Sequence, residues 1–459
     1  MLRAIPCPVA VGGHPPILAS PRQPCRMRCP GRSRPYWEVT VGSALTGKRL
    51  EGDVRSSYGR SSQRPRRGFG LPAILAAVAL LLAVAVAQTC RPLPALSAEP
   101  MPPTIAASEG ATPPWPTAGS AALGLAEGGI IGVANDNQAL PLASVTKVMT
   151  AVVILDSHPL KLGEPGPTIT ISHADVVEYL REAGEDQSVV SVAEGEQISE
   201  LQLLQGLLIP SGNNLADLLA RWDAGSMDAF VAKMNAKAAS LGMTKTKYAD
   251  ASGISPASIG AASDQVRLAL YAMKNPVFAQ IVGIPSADLP VAGTVKTTNK
   301  LLGSHEIVGI KTGNTDEAGG CFVFASMPEI NGQRRLVVGA VLGQKDLDAA
   351  FTASAVLADA APQTVRPKTV LNAGTKVGAI TAPWGQSTEV RPAQDVTTLV
   401  WPGAQAQTKV ALAVPPAPIT AGAQVGTITV ELGAQRVSVP LKAVSTIEKP
   451  GFFWKLFRR

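Results

Sequence analysis

Hydrophobic and polar positions follow three different patterns along the chain. Residues 71–87 form an uncharged apolar run of 17 residues, which predicts a single apolar helix. Residues 118–361 mix helix-like and strand-like runs, whereas residues 368–447 contain short β-rich runs separated by turn residues. The pattern therefore predicts an α/β domain, with a sheet flanked by helices, followed by a small all-β sandwich domain.

The α/β region begins with helix-like runs and ends with strand-like ones. Val148–Leu155 is apolar on every side, which predicts a fully buried helix. Glu200–Ile209 is amphipathic and is ended by Pro210, and Leu215–Trp222 predicts another helix just after it. Three strand-like runs follow and predict an antiparallel meander: Ile307–Ile310, Gly320–Ser326 and Arg335–Leu342.

The charges near the N-terminus predict how the chain lies relative to a membrane. Residues 1–70 carry 13 Lys and Arg but three acidic residues, and their lack of any period predicts a disordered, basic, cytoplasmic tail. The arginines closest to the apolar run place its N-terminal end in the cytoplasm: Arg64, Arg66 and Arg67. Residues 71–87 are expected to be a signal peptide or an uncleaved membrane anchor, with the α/β domain outside the cytoplasm.

Two further segments are expected to relate the protein to the membrane. Residues 88–117 are rich in proline, with eight prolines between positions 91 and 116, and predict an extended linker. Residues 448–459 combine four aromatic side chains with several cations, which suits a membrane interface and anionic lipid. A membrane surface is therefore an expected partner.

Composition excludes several kinds of function. The chain has 41 basic and 34 acidic residues, and the tail contains 13 of the basic and three of the acidic ones. The remaining 389 residues therefore carry 28 basic and 31 acidic residues. The net charge of +7 is therefore no evidence for nucleic-acid binding by the folded part. Four histidines and five cysteines suggest neither a multi-histidine metal site nor a disulfide framework, and Cys321 lies in an apolar run typical of a core strand. No metal, cofactor or nucleic acid is expected.

The first motif that carries chemistry is Ser144-Val-Thr-Lys147, at the start of the predicted buried helix. Residues three apart share a helix face, so the Ser144 hydroxyl and the Lys147 amine are expected one turn apart. A serine hydroxyl becomes a good nucleophile only when a base takes its proton. Lysine can be that base if burial or a second cation lowers its pKa. The motif predicts a serine nucleophile activated by lysine.

The second motif, Ser211-Gly-Asn213, lies between two predicted helices. A loop in this position can present side chains into a cleft. The Ser211 hydroxyl can pass on a proton, and the Asn213 amide can hold both lysine and substrate through hydrogen bonds.

The third motif, Lys311-Thr-Gly313, stands at the end of the first strand-like run. Lys311 is expected to supply a fixed positive charge that binds a carboxylate and lowers the pKa of Lys147. Gly313 is expected to leave room for a substrate backbone along the strand edge. The backbone N–H groups of Ser144 and Asn314 are expected to form an oxyanion hole.

Each motif occurs once, and their order and contexts together resemble a known set. Residues 118–361 resemble a low-molecular-mass penicillin-binding protein of the D-alanyl-D-alanine carboxypeptidase family. The stretches that carry the resemblance are Ala143–Thr150, Leu207–Asn214 and Gly309–Ala318. The second motif has glycine where the Ser-Asp-Asn form has aspartate. The β-rich region and the aromatic-basic tail resemble the family's C-terminal domain and membrane anchor more loosely.

The resemblance implies a penicillin-binding, β-lactamase-like serine hydrolase fold and a reaction. Ser144 would be acylated by the penultimate D-alanine of a peptidoglycan stem peptide, terminal D-alanine would leave, and water would hydrolyse the acyl-enzyme. Ser211 would relay the proton to the leaving nitrogen, and Lys147 would activate the water. Lys311 and Thr312 would hold the terminal carboxylate. β-Lactam antibiotics would acylate the same serine.

Other functions of the same fold are weighed against this one. A β-lactamase is expected to have a glutamate between the second and third motifs, but none occurs between Glu200 and Glu306. A D,D-endopeptidase or transpeptidase would use the same catalytic residues, so the motifs do not separate it from a carboxypeptidase. The complete motif set argues against an inactive cell-wall scaffold. The lack of a Gly-x-Ser-x-Gly turn at Ser144 argues against a Ser-His-Asp hydrolase.

Overall fold

The computed structural model describes residues 70–458, and the predicted basic tail at 1–70 lies outside them but for its last residue. The helices are α1 Gly70–Cys90, α2 Lys147–Ser157, α3 His173–Gly184, α4 Glu200–Leu208, α5 Asn213–Ala224, α6 Met227–Ser240, α7 Ala262–Ala272, α8 Pro276–Val282, α9 Leu347–Thr364 and α10 Phe452–Phe457. A 3₁₀ turn, Ala143–Thr146, immediately precedes α2.

Most strands belong to two sheets. In chain order they are β1 Ser97–Pro100, β2 Ser120–Leu125, β3 Gly129–Ala134, β4 Leu140–Pro141, β5 Thr168–Thr170, β6 Gln197–Ser199, β7 Ile259–Gly260, β8 Ser286–Leu289, β9 Gly293–Lys296, β10 Ile307–Thr315, β11 Gly319–Ser326, β12 Glu329–Ile330, β13 Gln333–Arg334, β14 Val337–Gln344, β15 Arg366–Leu371, β16 Gly378–Thr381, β17 Ser387–Pro392, β18 Val396–Val400, β19 Ala406–Leu412, β20 Gln424–Leu432 and β21 Gln435–Ala443.

A five-stranded antiparallel sheet, in the order β10-β11-β14-β2-β3, forms the centre of the α/β domain. The predicted meander is its β10-β11-β14 part. Both faces of the sheet are buried, because alternate residues of β11 enter different cores. Cys321 and Val323 join the core that contains α2, α4, α5 and α7, whereas Phe322 and Phe324 join the core that contains α9. The sheet is thus a middle layer between helices.

Three element boundaries differ from the sequence-based expectations. Strand β10 continues to Thr315, so the third motif lies inside the strand, where Lys311 pairs with Val323. Backbone pairing to β11 extends the strand through polar residues that interrupt its apolar pattern. Helix α5 begins at Asn213 rather than Leu215, which places Asn213 in the first helical turn. Helix α9 includes Pro362 in its last turn and ends beyond residue 361.

The C-terminal region is all-β as far as β21 and has its own apolar core. A six-stranded antiparallel sheet runs in the order β1-β16-β17-β21-β20-β19, and β15 pairs with β18. Val400, at the end of β18, and Trp401 pack into the α9 core of the α/β domain. The two domains are therefore in direct apolar contact.

The proline-rich segment differs from the extended linker predicted at 88–117. Its residues Ser97–Pro100 form the edge strand β1 on β16, and Ala107 is buried. Trp115 packs against Gly132 of β3, where a side chain would meet the indole ring at 2.7 Å. Prolines keep a chain extended, and an extended backbone with free N–H and C=O groups can join a sheet edge. This segment therefore contacts both domains, through β16 of the all-β domain and β3 of the α/β domain.

The two ends of the described chain carry exposed apolar side chains. Within residues 70–458, α1 is the one helix whose length and composition suit a membrane span, a property that signal sequences share. Helix α10 exposes Phe452, Phe453 and Phe457, and Trp454 packs edge-on against Trp384.

Candidate active site

The nucleophile candidate and the base candidate are neighbours on one turn. Ser144 lies in the 3₁₀ turn, and Lys147 is the first residue of α2. The Lys147 Nζ lies 2.9 Å from the Ser144 Oγ. Residues Val148–Leu155 of α2 are buried on all sides, as predicted, so the turn is held by a core helix. The structure therefore brings the hydroxyl and the amine together as the first motif predicts.

The surroundings of Lys147 indicate which protonation state it can take. Lys147 is fully buried, and its Nζ also lies 2.5 Å from the Asn213 Oδ1 and 2.9 Å from the backbone oxygen of Ser252. Both of these oxygens can only accept, whereas the Ser144 hydroxyl can donate. A neutral amine has two N–H donors and one lone pair. It can donate to Asn213 and Ser252 and accept the proton of Ser144, which is the arrangement a general base needs.

Burial lowers the pKa of Lys147 to about 7, because the charged amine loses its hydration, and the negative charges of Asp250, Asp217 and Glu182 oppose this shift. Lys311 was expected to cause part of this shift. Instead, burial and, secondly, the charge of Lys147 lower the pKa of Lys311 itself well below its ordinary value. Burial and the neighbouring lysine thus disfavour the ammonium form of Lys311, and its role as a fixed cation stays a prediction.

The second motif places one side chain against Lys147 and leaves another free. The Asn213 Nδ2 donates to the Gln187 Oε1 at 2.6 Å, which orients the amide so that its oxygen faces Lys147. Ser211 is buried, has a positive φ of 75°, and its Oγ has no hydrogen-bond partner among the described residues. A strained backbone and an unpaired buried hydroxyl are typical of functional positions.

The third motif lies on the strand next to the nucleophile turn. Lys311 is 1% exposed, and its Nζ donates to the backbone oxygen of Thr312 at 3.0 Å. The Thr312 Oγ1 lies 2.6 Å from the Thr298 Oγ1. These side chains leave the Lys311 amine with capacity for a further acceptor.

Gly313 lies against the nucleophile turn. A Cβ at this position would lie 3.0 Å from both the Ser144 backbone nitrogen and the Leu142 oxygen, and 3.1 Å from the Ala143 Cβ. The missing side chain thus faces the nucleophile turn and lets β10 approach it closely. That Gly313 also leaves room for a substrate backbone along the strand edge stays a prediction.

An open polar cavity of about 350 Å³ lies over the nucleophile. Ser144, Asn213 and Asn314 all line it, which is consistent with backbone N–H groups of Ser144 and Asn314 facing one ligand. The remaining lining residues are largely polar: Glu185, Asp186, Gln187, Ser188, Gly253, Ile254, Thr315, Asp316 and Glu317.

Two contributors to the site were not predicted from the sequence. Ser252 acts through its backbone oxygen, and Gln187 acts by orienting Asn213. The turn that presents Ser252 is built on Asp250, whose carboxylate accepts from the Ser252 hydroxyl and the Gly253 N–H. An Asp-x-Ser-Gly sequence is a signal for such a turn, although it does not indicate which carbonyl will face a lysine.

Comparison with known proteins shows which family the chain belongs to. A family model described as D-alanyl-D-alanine carboxypeptidase matches residues 109–345. The chain is 37% identical over 226 residues to a D-alanyl-D-alanine carboxypeptidase of Mycobacterium tuberculosis, which covers 48% of this chain and 72% of that protein. The chain belongs to the D-alanyl-D-alanine carboxypeptidase family. The family predicted from the three motifs is thereby confirmed.

Other relatives carry two different activities in their names. A D-alanyl-D-alanine carboxypeptidase of Streptomyces sp. (strain K15) is 31% identical over 223 residues, covering 45% of this chain and 73% of that protein. A D-alanyl-D-alanine endopeptidase of Pseudomonas aeruginosa is 36% identical over 197 residues, covering 41% and 60%. Penicillin-binding protein 5 from Haemophilus influenzae has a TM-score of 0.54 at 22% identity, covering 74% of this chain and all of that one, which confirms the predicted fold class.

Proposed function

We propose that this protein is a serine-type D-alanyl-D-alanine carboxypeptidase that removes the terminal D-alanine from peptidoglycan stem peptides through an acyl-enzyme on Ser144. The observation that carries the proposal is the buried Lys147 amine, which faces two oxygens that only accept and one hydroxyl that can donate. Family membership supports the same reaction.

Acylation begins with proton transfer from the Ser144 Oγ to the Lys147 Nζ. The Oγ attacks the carbonyl carbon of the penultimate D-alanine, and the backbone N–H groups of Ser144 and Asn314 stabilise the oxyanion. The proton then passes from Lys147 through the otherwise unpartnered Ser211 hydroxyl to the amide nitrogen, and the C–N bond breaks. Terminal D-alanine leaves as a neutral amine or its ammonium form.

Lys311 and Thr312 bind the C-terminal carboxylate of the substrate. Lys311 is buried beside a second lysine, so an incoming carboxylate supplies the counter-charge that favours its ammonium form. Deacylation reverses the proton path: neutral Lys147 takes a proton from water, which attacks the acyl carbonyl and releases Ser144. Penicillin carries both a reactive carbonyl and a carboxylate, so it acylates the same serine.

The deciding experiment is mass spectrometry of the intact protein after incubation with a D-Ala-D-Ala pentapeptide and, separately, with penicillin. The expected result is release of one D-alanine per peptide and a stable penicilloyl adduct on Ser144. Ser144→Ala is expected to abolish both, whereas Ser438→Ala, an exposed strand serine, keeps both. Labelling of the Ser144→Ala protein would place the nucleophile elsewhere.

The relative named as an endopeptidase gives the experiment a second arm. A cross-linked peptidoglycan dimer is offered beside the pentapeptide. Cleavage of the cross-link with little D-alanine release from the pentapeptide would assign this chain to the endopeptidase activity. Rapid release of hydrolysed penicillin instead of a stable adduct would assign it to the β-lactamase alternative.

The proposed site of action is the extracytoplasmic face of the cell membrane. The apolar helix α1 supports it, since arginines precede it in the sequence and none of its residues is buried. The exposed phenylalanines of α10 also support it. The Arg458 guanidinium donates to the backbone oxygen of Gln88 in the last turn of α1 and to those of Arg91 and Pro92 just after it. Both helices would then meet the bilayer surface at one place.

Alkaline carbonate extraction of a membrane fraction tests this location. Retention in the pellet is expected if α1 remains as a span, and protease treatment of intact spheroplasts should then digest the α/β domain. Complete release by carbonate would show that α1 is removed and that α10 does not hold the protein by itself.

A further inference from the structure

Behind Lys147 lies a group of acidic side chains to which the reaction described above assigns no role. Helix α5 packs against both α2 and α3. Asn213, which holds Lys147, and Asp217 lie four residues apart on α5 and so share a helix face. Glu182 reaches the same region from α3. A carboxyl group is thus placed one helical turn from the residue that touches the catalytic amine.

The acidic side chains lie very close to one another. Carboxylate oxygens of Glu178, Glu182 and Asp217 all fall within 4.8 Å of each other. Glu178 is paired with Arg181 at 2.7 Å. Glu182 and Asp217 are less well paired: the Glu182 Oε2 is buried without a hydrogen bond, and the Glu182 Oε1 is 3.6 Å from Arg181.

Asp217 makes no hydrogen bond or ion pair with any described residue, and Glu182 is 2% exposed. Two carboxylates in this position cannot both ionise easily, so they hold one proton between them near neutral pH. Burial raises the pKa of Glu182 to about 7 and that of Asp217 to about 6, in agreement with this view. The pair therefore carries one net negative charge over a range around neutral pH.

The other charged groups that face the pair are already engaged. On α3, Arg181 binds Glu178 and Glu185, and on α5, Arg221 binds Asp175. Asp250 also acts on Lys147, but its carboxylate is held by hydrogen bonds within the turn that contains Ser252. Arg181 and Arg221 also act on the pair, and its negative charge in turn favours the ammonium form of Lys147.

The reaction requires such a charge. When Lys147 takes the Ser144 proton it becomes an ammonium ion inside the protein, and the oxygens within hydrogen-bond distance of it belong to neutral groups. A buried ammonium without a counter-ion is costly. We propose that Glu182 and Asp217 form a carboxyl pair sharing one proton, which serves as the counter-ion for the ammonium form of Lys147 during acylation. They are positioning residues, and this role rests on the proposed function of Lys147.

The pair keeps its single proton throughout acylation, so the Ser144 proton needs no acceptor other than Lys147 and the leaving nitrogen. The proton moves only from Ser144 to Lys147 and then to the leaving nitrogen. Because a single amide substitution leaves the other carboxyl free to ionise, one net negative charge remains in each single variant. The charge disappears only when both carboxyls are replaced, and the two substitutions should therefore act non-additively.

The test is the pH dependence of acylation by a fluorescent penicillin, measured by stopped flow on the full chain. Glu182→Gln and Asp217→Asn are each expected to shift the midpoint of the wild-type profile by less than about 0.3 pH unit. The double variant should shift it by about one unit to lower pH, since loss of a negative charge favours neutral Lys147. Its rate at high pH should fall roughly tenfold, because the ammonium form is less stabilised in the transition state.

Asp223→Asn is the matched control. Asp223 is another buried carboxylate of α5, but it pairs with Lys233 and His158. Its profile should keep the wild-type midpoint. Infrared spectra give a second readout should the double variant fail to fold: besides the band of the separately buried Glu200, wild type should show one protonated carboxyl that titrates near neutral pH, and each single variant should lose that band and keep the Glu200 band.

The outcomes separate this proposal from the one it rests on. Absence of a penicilloyl adduct on wild-type Ser144 would overturn the proposed function. A normal wild-type profile with an unchanged midpoint in the folded double variant would overturn the counter-ion role alone. Equal and additive shifts in the two single variants would overturn the shared proton.

Discussion

Glu200, the first residue of α4, offers a direct test of how burial controls ionisation in this protein. Its side chain is completely buried, and neither carboxylate oxygen has a hydrogen-bond partner among the described residues. The loop at Gly166 packs directly on it, since a Cβ there would lie 2.8 Å from the Glu200 Oε2. Burial raises the pKa of Glu200 from 4.5 to about 7. We expect Glu200→Gln to stabilise the protein increasingly as pH rises.

The size of the effect follows from the two pKa values. The folded state holds the Glu200 proton more tightly than the unfolded state, so the wild type loses stability as pH rises from 4.5 towards 7. The full loss is about 3.4 kcal/mol, because a pKa difference of one between the folded and unfolded states corresponds to about 1.36 kcal/mol. Between pH 5 and pH 8 the wild type loses about 2.5 kcal/mol of this. Glutamine does not ionise and loses none.

The assay is urea unfolding of wild type and Glu200→Gln at pH 5 and at pH 8, followed by tryptophan fluorescence. The free-energy difference between the two proteins should change by about 2.5 kcal/mol in favour of the variant over this range. Any constant effect of the amide cancels in that comparison, as do the titrations that both proteins share. Glu329→Gln, at an exposed hairpin, controls for surface charge. A difference that is the same at both pH values would refute the reasoning.

Three substitutions in the site have distinct expected outcomes. Lys147→Arg should lower penicillin acylation at least about 10³-fold by stopped flow, because arginine does not act as a base, and near wild-type rates would reject Lys147 as the base. Gly313→Ala should slow acylation about tenfold by moving the Ser144 backbone a few tenths of an ångström, whereas Gly374→Ala, with open space around it, should not. Ser211→Gly should raise the unfolding free energy by about 0.5–1 kcal/mol, since residue 211 has a positive φ. The same variant should slow acylation about 10²-fold because it lacks the hydroxyl that relays the proton, and a fully active variant would exclude that relay.

The sequence predicts those parts of the molecule that depend on local patterns. The Ser144–Lys147 pair could be predicted because a helical turn sets the spacing of residues three apart. The burial of Lys147 could be predicted because the helix that follows is apolar on every side. The family was identified from the same stretches of sequence. The α/β class of one domain and the all-β class of the other could be predicted from the periodicity of their apolar residues.

The remaining features depend on contacts between distant segments. The Ser252 carbonyl has no sequence signature, since every residue has a backbone oxygen. The orientation of Gly313 depends on the packing of β10 against the nucleophile turn. The strand formed by Ser97–Pro100 depends on a partner strand about 280 residues later in the chain. The nearness of Glu182 and Asp217 depends on how α3 and α5 pack, which neither helix indicates alone.

The features that destabilise this fold are concentrated around one cleft, and that concentration is itself an argument for chemistry there. Two lysines are buried next to each other, Ser211 is held at a positive φ, and the buried Glu182 carboxyl lies close to that of Asp217. Each arrangement is costly in a structure selected for stability alone. The two apolar layers on either side of the sheet supply the stability that offsets them. A site built only to bind a peptide would need a charged lysine near its surface. A fully buried amine within hydrogen-bond distance of a hydroxyl is the arrangement that a general base requires.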